Sequence, residues 1–285
     1  MPNELLINPF RPGAGQRPPY LAGREKEKED FKKLLKQQIV TRNMIITGLR
    51  GTGKTVLLEE FKPIALSSGW FWAGTELSES ASVSEETIAI RILTDLSILT
   101  SNLLSVRHEG TGFASEADAV SLDYQSLETY YRQQPGLVAD KLKNTLEYIW
   151  NGIKTIPQIK GIVFAYDEAQ EMNDQERSGQ FPLSVLLDVF QNLQRKVFPF
   201  ILLLVGLPTL YPKVVETRGY SERMFDVDVL GSLSFEESKQ AISVPINEKK
   251  SLINFSESSI DLIAKTSGGY PYFIQFICWQ HWFLF

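Results

Sequence analysis

Gly48-Leu49-Arg50-Gly51-Thr52-Gly53-Lys54-Thr55 is the stretch on which the reading of this sequence turns. It satisfies the pattern G-x-x-x-x-G-K-[ST] at every fixed position. An apolar run, Asn43 to Thr47, precedes it, and a segment with apolar residues at Val56, Leu57, Leu58 and Phe61 follows. The spacing predicts a strand, a tight turn and a helix from Lys54 to about Leu66. Glycines let a backbone curl around an anion with its N–H groups turned inward, and a helix N-terminus adds its dipole. Gly48, Gly51, Thr52 and Gly53 then form a phosphate cradle. Lys54 reaches the β- and γ-phosphates of a nucleotide, and Thr55 ligates Mg²⁺.

A second stretch complements the first. Gly161-Ile162-Val163-Phe164-Ala165-Tyr166 is an apolar strand ending in Asp167-Glu168. Beside a phosphate loop, the first carboxylate suits the metal and the second suits orienting and deprotonating an attacking water. Asp167 is therefore the metal residue and Glu168 the general base.

Outward from these stretches the chain alternates strands and helices. Strands are expected at about 69–75, 162–166, 200–205 and 226–230, besides the one at 43–47. Helices are expected at about 24–38, 84–104, 137–153, 182–196 and 210–216. The strands are continuously apolar, as in a parallel sheet covered on both faces. The fold class is α/β, a five-stranded parallel sheet with helices on both faces and a small all-helical lid. Residues 1–19, rich in Pro and Gly, are expected to run extended over the surface. Residues 20–232 form the α/β domain, with a surface insertion at about 107–136 where no period is evident. Residues 233–285 form the lid. It opens on a capping box at Ser234-Phe235-Glu236-Glu237 and ends inside an apolar helix, which reads as a truncation or a missing partner.

Composition narrows the function classes. The chain has 285 residues, 43% of them hydrophobic and 22% charged, with a net charge of -5, so it is no polycation. One cysteine, Cys278, excludes an internal disulfide and fits core packing in a reducing compartment. Two histidines leave no His-based zinc site. No apolar run approaches the roughly 20 residues a membrane span needs. A cytoplasmic protein without membrane contact is expected.

The order of motifs resembles the AAA+ ATPases, in particular their origin-recognition-like and STAND-type bacterial branches, over residues 17 to 280. Besides the loop and the Asp-Glu strand, Arg17-Pro18-Pro19-Tyr20-Leu21-Ala22-Gly23-Arg24-Glu25 is similar to the segment that packs on the adenine. Ser221-Glu222-Arg223-Met224-Phe225 is similar to the segment carrying an arginine finger. Ser267-Gly268-Gly269-Tyr270-Pro271-Tyr272 is similar to the lid's GG-x-P turn. The resemblance implies ATP with Mg²⁺ as cofactors, Pro19, Tyr20 and Pro271 around the nucleotide, and Arg223 reaching a neighbour's γ-phosphate in a homo-oligomer. It implies an ATP hydrolase that drives a conformational change or assembly. A protein client or DNA would be engaged through a C-terminal domain missing from this chain. Two departures stand out. The fourth strand runs into Gly206-Leu207-Pro208, with Thr209 the only polar residue nearby, and Pro271 and aromatics occupy the place of a second sensor arginine. They favour the alternative of a nucleotide-dependent switch or scaffold with little turnover. A DNA-associated initiator-like ATPase and a small-molecule kinase are further readings.

Overall fold

The computed structural model describes residues 8–13, 15–110, 122–248 and 254–282, without the side chains of 102–110. Among these, five strands form one sheet: β1 (Asn43–Gly48), β2 (Trp70–Ala73), β3 (Gly161–Tyr166), β4 (Phe200–Gly206) and β5 (Phe225–Leu230). Every pairing is parallel, and the order is β2-β3-β4-β1-β5. The expected α/β class and its five-stranded parallel sheet are thus observed. β1, β3 and β4 are buried along their whole length, which is why they read as unbroken apolar runs.

Ten helices flank the sheet or build the lid among the described residues. On one face lie α1 (Glu25–Leu34) and α2 (Lys54–Ser67), joined through the stacked rings of Phe31 and Phe61, 4.2 Å apart. On the other lie α3 (Glu85–Gly110), α4 (Tyr124–Gln133), α5 (Val138–Ile153), α6 (Pro182–Arg195) and α7 (Leu210–Thr217). Residues 124–133 were read as lacking a period, yet they form α4. Leu127 and Tyr131, four residues apart, bury one side of it on the core. The rest of that stretch, 111–121, lies outside the described residues.

The lid comprises α8 (Phe235–Glu248), α9 (Glu257–Thr266) and α10 (Pro271–His281), with Pro271 at the first helical position. Its core holds Leu233, Ile242, Ile263, Ile274 and Cys278, whose thiol burial pushes up to about 12. Phe10 belongs to the same core at 1% exposure, against Phe255 and Trp282. The segment before Tyr20 is therefore not simply laid over the surface. Its one aromatic side chain is drawn into the lid, and the Arg11 N–H donates to Gln275 Oε1 at 3.2 Å. No helix among the described residues is long and apolar enough to cross a membrane.

Candidate functional site

The strand order sets the geometry. β4 lies between β1 and β3, so their C-terminal ends stand about 10 Å apart, two strand spacings. The turn after β1 spans that gap. Gly51 and Gly53 adopt φ of 81° and 91°, the left-handed region that glycine tolerates at little cost. Gly53 caps α2 with no side chain accepting from the helix, so its first N–H groups face outward at the turn. The Thr55 hydroxyl donates to Asp167 Oδ2 at 2.6 Å, joining the start of α2 to the end of β3. Asp167 is pinned on its other side by two backbone bonds to the segment after β2, with Thr75 and Leu77.

Lys54 is 7% exposed, and its ammonium donates to the carbonyls of Gly48 at 2.9 Å and Leu49 at 3.1 Å. Burial lowers its pKa, opposed by the charges of Glu168 and Asp167. Asp167 is shifted the other way: burial raises it, against the hydrogen bonds from Thr55 and the Glu168 N–H. Both groups are charges held in a desolvated place with incomplete compensation, an arrangement that suits an incoming anion and its cation. One hydroxyl and one carboxylate are a hard donor pair that fits Mg²⁺, whose remaining positions go to water and phosphate oxygens. No cluster of three or more His, Cys, Asp or Glu among the described residues suits a metal by itself.

A cavity of about 450 Å³ opens above this turn. Gly51, Thr52, Gly53, Lys54, Thr55 and Glu168 form its floor, and Tyr20, Leu21, Leu233 and Pro271 form an apolar wall. The lid touches the floor directly, the Tyr272 N–H donating to the Gly51 carbonyl at 3.3 Å. Of the residues expected around a nucleotide, Tyr20 and Pro271 line the cavity. Pro19 does not, and its neighbour Pro18 does. Gly48 contributes its carbonyl to Lys54 rather than a cavity surface.

Arg223 stands elsewhere. β1 and β5 pair from Asn43↔Phe225 to Gly48↔Leu230, so Arg223 lies at the opposite edge of the sheet, about 20 Å from Gly48 over six residues. It cannot reach the Gly48–Thr55 turn of its own chain. Among the described residues its guanidinium has no ion pair, since Asp226 faces Arg42 at 3.6 Å instead.

Two residues were not singled out from sequence. Arg24 is 4% exposed, with its charged form disfavoured by burial, and lines the cavity. It donates to the carbonyls of Thr52 and Gly231, both at 3.0 Å, and so ties the turn to the start of the lid. Gln170, two residues past Glu168, donates from Nε2 to its carboxylate and accepts at Oε1 from the Leu207 N–H at 3.0 Å. Thr209 is exposed and outside the cavity lining, so the position after β4 offers no polar side chain there.

No family model matches the sequence, and no curated protein matches it. Solved structures do. The ORC2 protein of Aeropyrum pernix in its ADP form shares 15% identity, covering 94% of this chain and 64% of that one, with a TM-score of 0.57. Cdc6p of Pyrobaculum aerophilum shares 13% over 94% of this chain and 62% of that one, TM-score 0.57. The ORC1 protein of A. pernix in complex with DNA shares 14% over 99% of this chain and 64% of that one, TM-score 0.54. The chain has an origin-recognition-like AAA+ fold. It spans less than two thirds of the length of these relatives.

Proposed function

We propose that the chain binds Mg-ATP in this cavity and hydrolyses it, using the lid to convert nucleotide state into a conformational change or assembly. The observation that carries the reading is Lys54, a buried ammonium with only two backbone carbonyls as hydrogen-bond partners among the described residues, beside the Thr55–Asp167 contact at 2.6 Å. Lys54 would exchange those carbonyls for phosphate oxygens. The outward N–H groups of the turn and of the first turn of α2 would take the remaining phosphate oxygens. Tyr20, Leu21 and Pro271 would receive the base in the apolar part of the cavity. Thr55 and Asp167 would hold Mg²⁺, which would offset negative charge between the β- and γ-oxygens. Glu168 is the carboxylate at the floor of the cavity and would orient a water and take its proton. Nucleotide binding in the ADP form of ORC2 supports the same use of the fold here.

Arg223 fits a neighbouring copy: it is exposed, without an ion pair among the described residues and remote from its own turn. A homo-oligomer with Arg223 at the next chain's phosphates is therefore part of the proposal. A second reading, a nucleotide-operated switch with little turnover, is favoured by the missing polar side chain after β4. A DNA-associated role has only the likeness to an ORC1–DNA complex behind it, which speaks of fold.

Phosphate release from Mg-ATP by the purified chain and by its Glu168→Gln variant tests the leading reading. The parent is expected to exceed the variant by about 10²–10⁴-fold while both bind nucleotide alike. Tight binding with equal release from both would leave the switch.

A further inference from the structure

Glu168 has a backbone that few non-glycine residues adopt, φ 51° and ψ 35°. Local bonds hold it there. Its N–H donates to Asp167 Oδ1 at 2.8 Å, and its carboxylate accepts from Gln170 Nε2 at 2.5 Å. Gln170 is itself held on three sides. Its Oε1 accepts from the Leu207 N–H, its carbonyl accepts from Lys213 Nζ at 2.6 Å, and its Nε2 also lies 3.2 Å from Glu171 Oε1. A Cβ on Gly206 would stand 2.4 Å from Gln170 Oε1, so the end of β4 is shaped around this amide. Gln170 is 8% exposed and does not line the cavity, whereas Glu168 does.

One planar amide thus grips the cavity's carboxylate with one end and the β4–α7 junction with the other. A carboxylate that turns toward a water or a γ-phosphate must change its hold on Nε2. The amide cannot reorient without disturbing its bond to Leu207, because Nε2 and Oε1 share one rigid plane and Lys213 Nζ holds the Gln170 backbone carbonyl in place. We propose that Gln170 is a positioning residue that sets the orientation of Glu168 and transmits its movement to Leu207 and α7, making the end of β4 respond to the γ-phosphate. This rests on the nucleotide site proposed above.

The test uses the whole chain, with Mg-ADP and a non-hydrolysable Mg-ATP analogue, both first shown to bind by equilibrium dialysis. Amide exchange is then read at Leu207, whose successor Pro208 has no N–H. In the parent, exchange at Leu207 is expected to differ about tenfold between the two nucleotides, as a local opening that nucleotide biases. Gln170→Leu removes both ends of the grip. Leu207 should exchange rapidly with either nucleotide, and kcat should fall about 10- to 100-fold with KM unchanged. Gln170→Glu keeps an acceptor for Leu207 but no donor for Glu168. It should keep Leu207 protected while erasing the difference between nucleotides, so a misfolded Gln170→Leu does not decide the matter alone. Equal exchange at Leu207 in the parent with both nucleotides bound overturns the proposal and leaves the nucleotide site standing. A change in KM alone on Gln170→Leu also overturns it. Absence of binding overturns both.

Discussion

The two edges of the sheet are built on opposite electrostatic plans. At the C-terminal edge, Lys54, Asp167 and Arg24 are buried, and burial disfavours the charged form of each. At the N-terminal edge the charges are compensated. Arg218 donates to both oxygens of Asp188, at 2.9 and 2.7 Å, Tyr220 adds a bond at 2.6 Å, and Arg42 faces Asp226. The first edge lowers its own stability to keep charges available, and the second spends its charges on holding a turn in place. Strain and uncompensated charge gather at the edge proposed to bind nucleotide, where a ligand would supply what is missing. Arg223 is the exception at the stable edge, an exposed arginine left without an ion pair among the described residues.

That exception yields the largest expected effect. With Arg223 acting on a neighbour, Arg223→Ala should lower turnover by about 10³-fold with nucleotide affinity intact. The decisive form is a mixture. Arg223→Ala and Glu168→Gln chains, each inactive alone, should recover part of the parent activity when combined, because some sites then pair an intact Glu168 with an intact Arg223. Phosphate release that stays at the level of the separate variants would make both edges parts of one self-contained molecule.

The next effect lies at the other edge. Lys54→Ala should weaken Mg-ATP binding by about 10²–10³-fold, the usual cost of removing one partner from a buried charged contact. Isothermal titration measures it. Because the ammonium is poorly compensated before binding, the variant without nucleotide should melt no lower than the parent. A lower melting temperature would mean that the Gly48 and Leu49 carbonyls satisfy Lys54 better than burial suggests.

How much of this was legible in the sequence follows the same division. The turn at Gly48–Thr55 and the Asp167-Glu168 pair are each contiguous in the chain, so both stood out in the sequence, and the structure brings them together through Thr55 and Asp167. β1, β3 and β4 read as well, because full burial writes an unbroken apolar run, whereas β2 and β5 are only partly buried and β5 alternates apolar with acidic residues rather than running unbroken. Gln170 did not, since its meaning depends on β4 lying between β1 and β3, an order no local pattern carries. Arg24 was visible only as one residue of the Arg17–Glu25 segment, with no role of its own. Its partners, Thr52 and Gly231, are carbonyls, and a carbonyl leaves no mark on sequence. Helix α4 hid behind polar residues because only Leu127 and Tyr131 face inward. Phe10 carried a signal that passed unused, a lone aromatic among prolines and glycines.

The smallest effect separates the two edges by sign. Hydrogen bonds from Arg218, the largest cause, hold Asp188 below the ordinary carboxylate range, against a smaller opposing effect of burial. A lowered native pKa means the folded chain holds the proton less tightly than the unfolded one. Its stabilisation is complete above about pH 4, the unfolded value, and disappears as pH falls through the native value. The pair is more than a third exposed, so solvent screening leaves about 1 kcal/mol. Asp188→Asn should therefore lower the melting temperature by about 2 °C at pH 7, with the difference closing toward pH 3. Asp167 has the reverse shift, raised chiefly by burial, so its charge weighs against the folded state by an amount that grows as pH rises from the unfolded value to the native one and is complete above it. Asp167→Asn should then melt at or above the parent at pH 7 without nucleotide, and the difference should shrink on acidification. Thermal melts of both variants across pH 3 to 8 test the contrast. If the two curves bend in the same direction, the edges do not differ in the way their burial and pairing imply, and the proposed phosphate site at the Gly48–Thr55 turn loses its electrostatic basis.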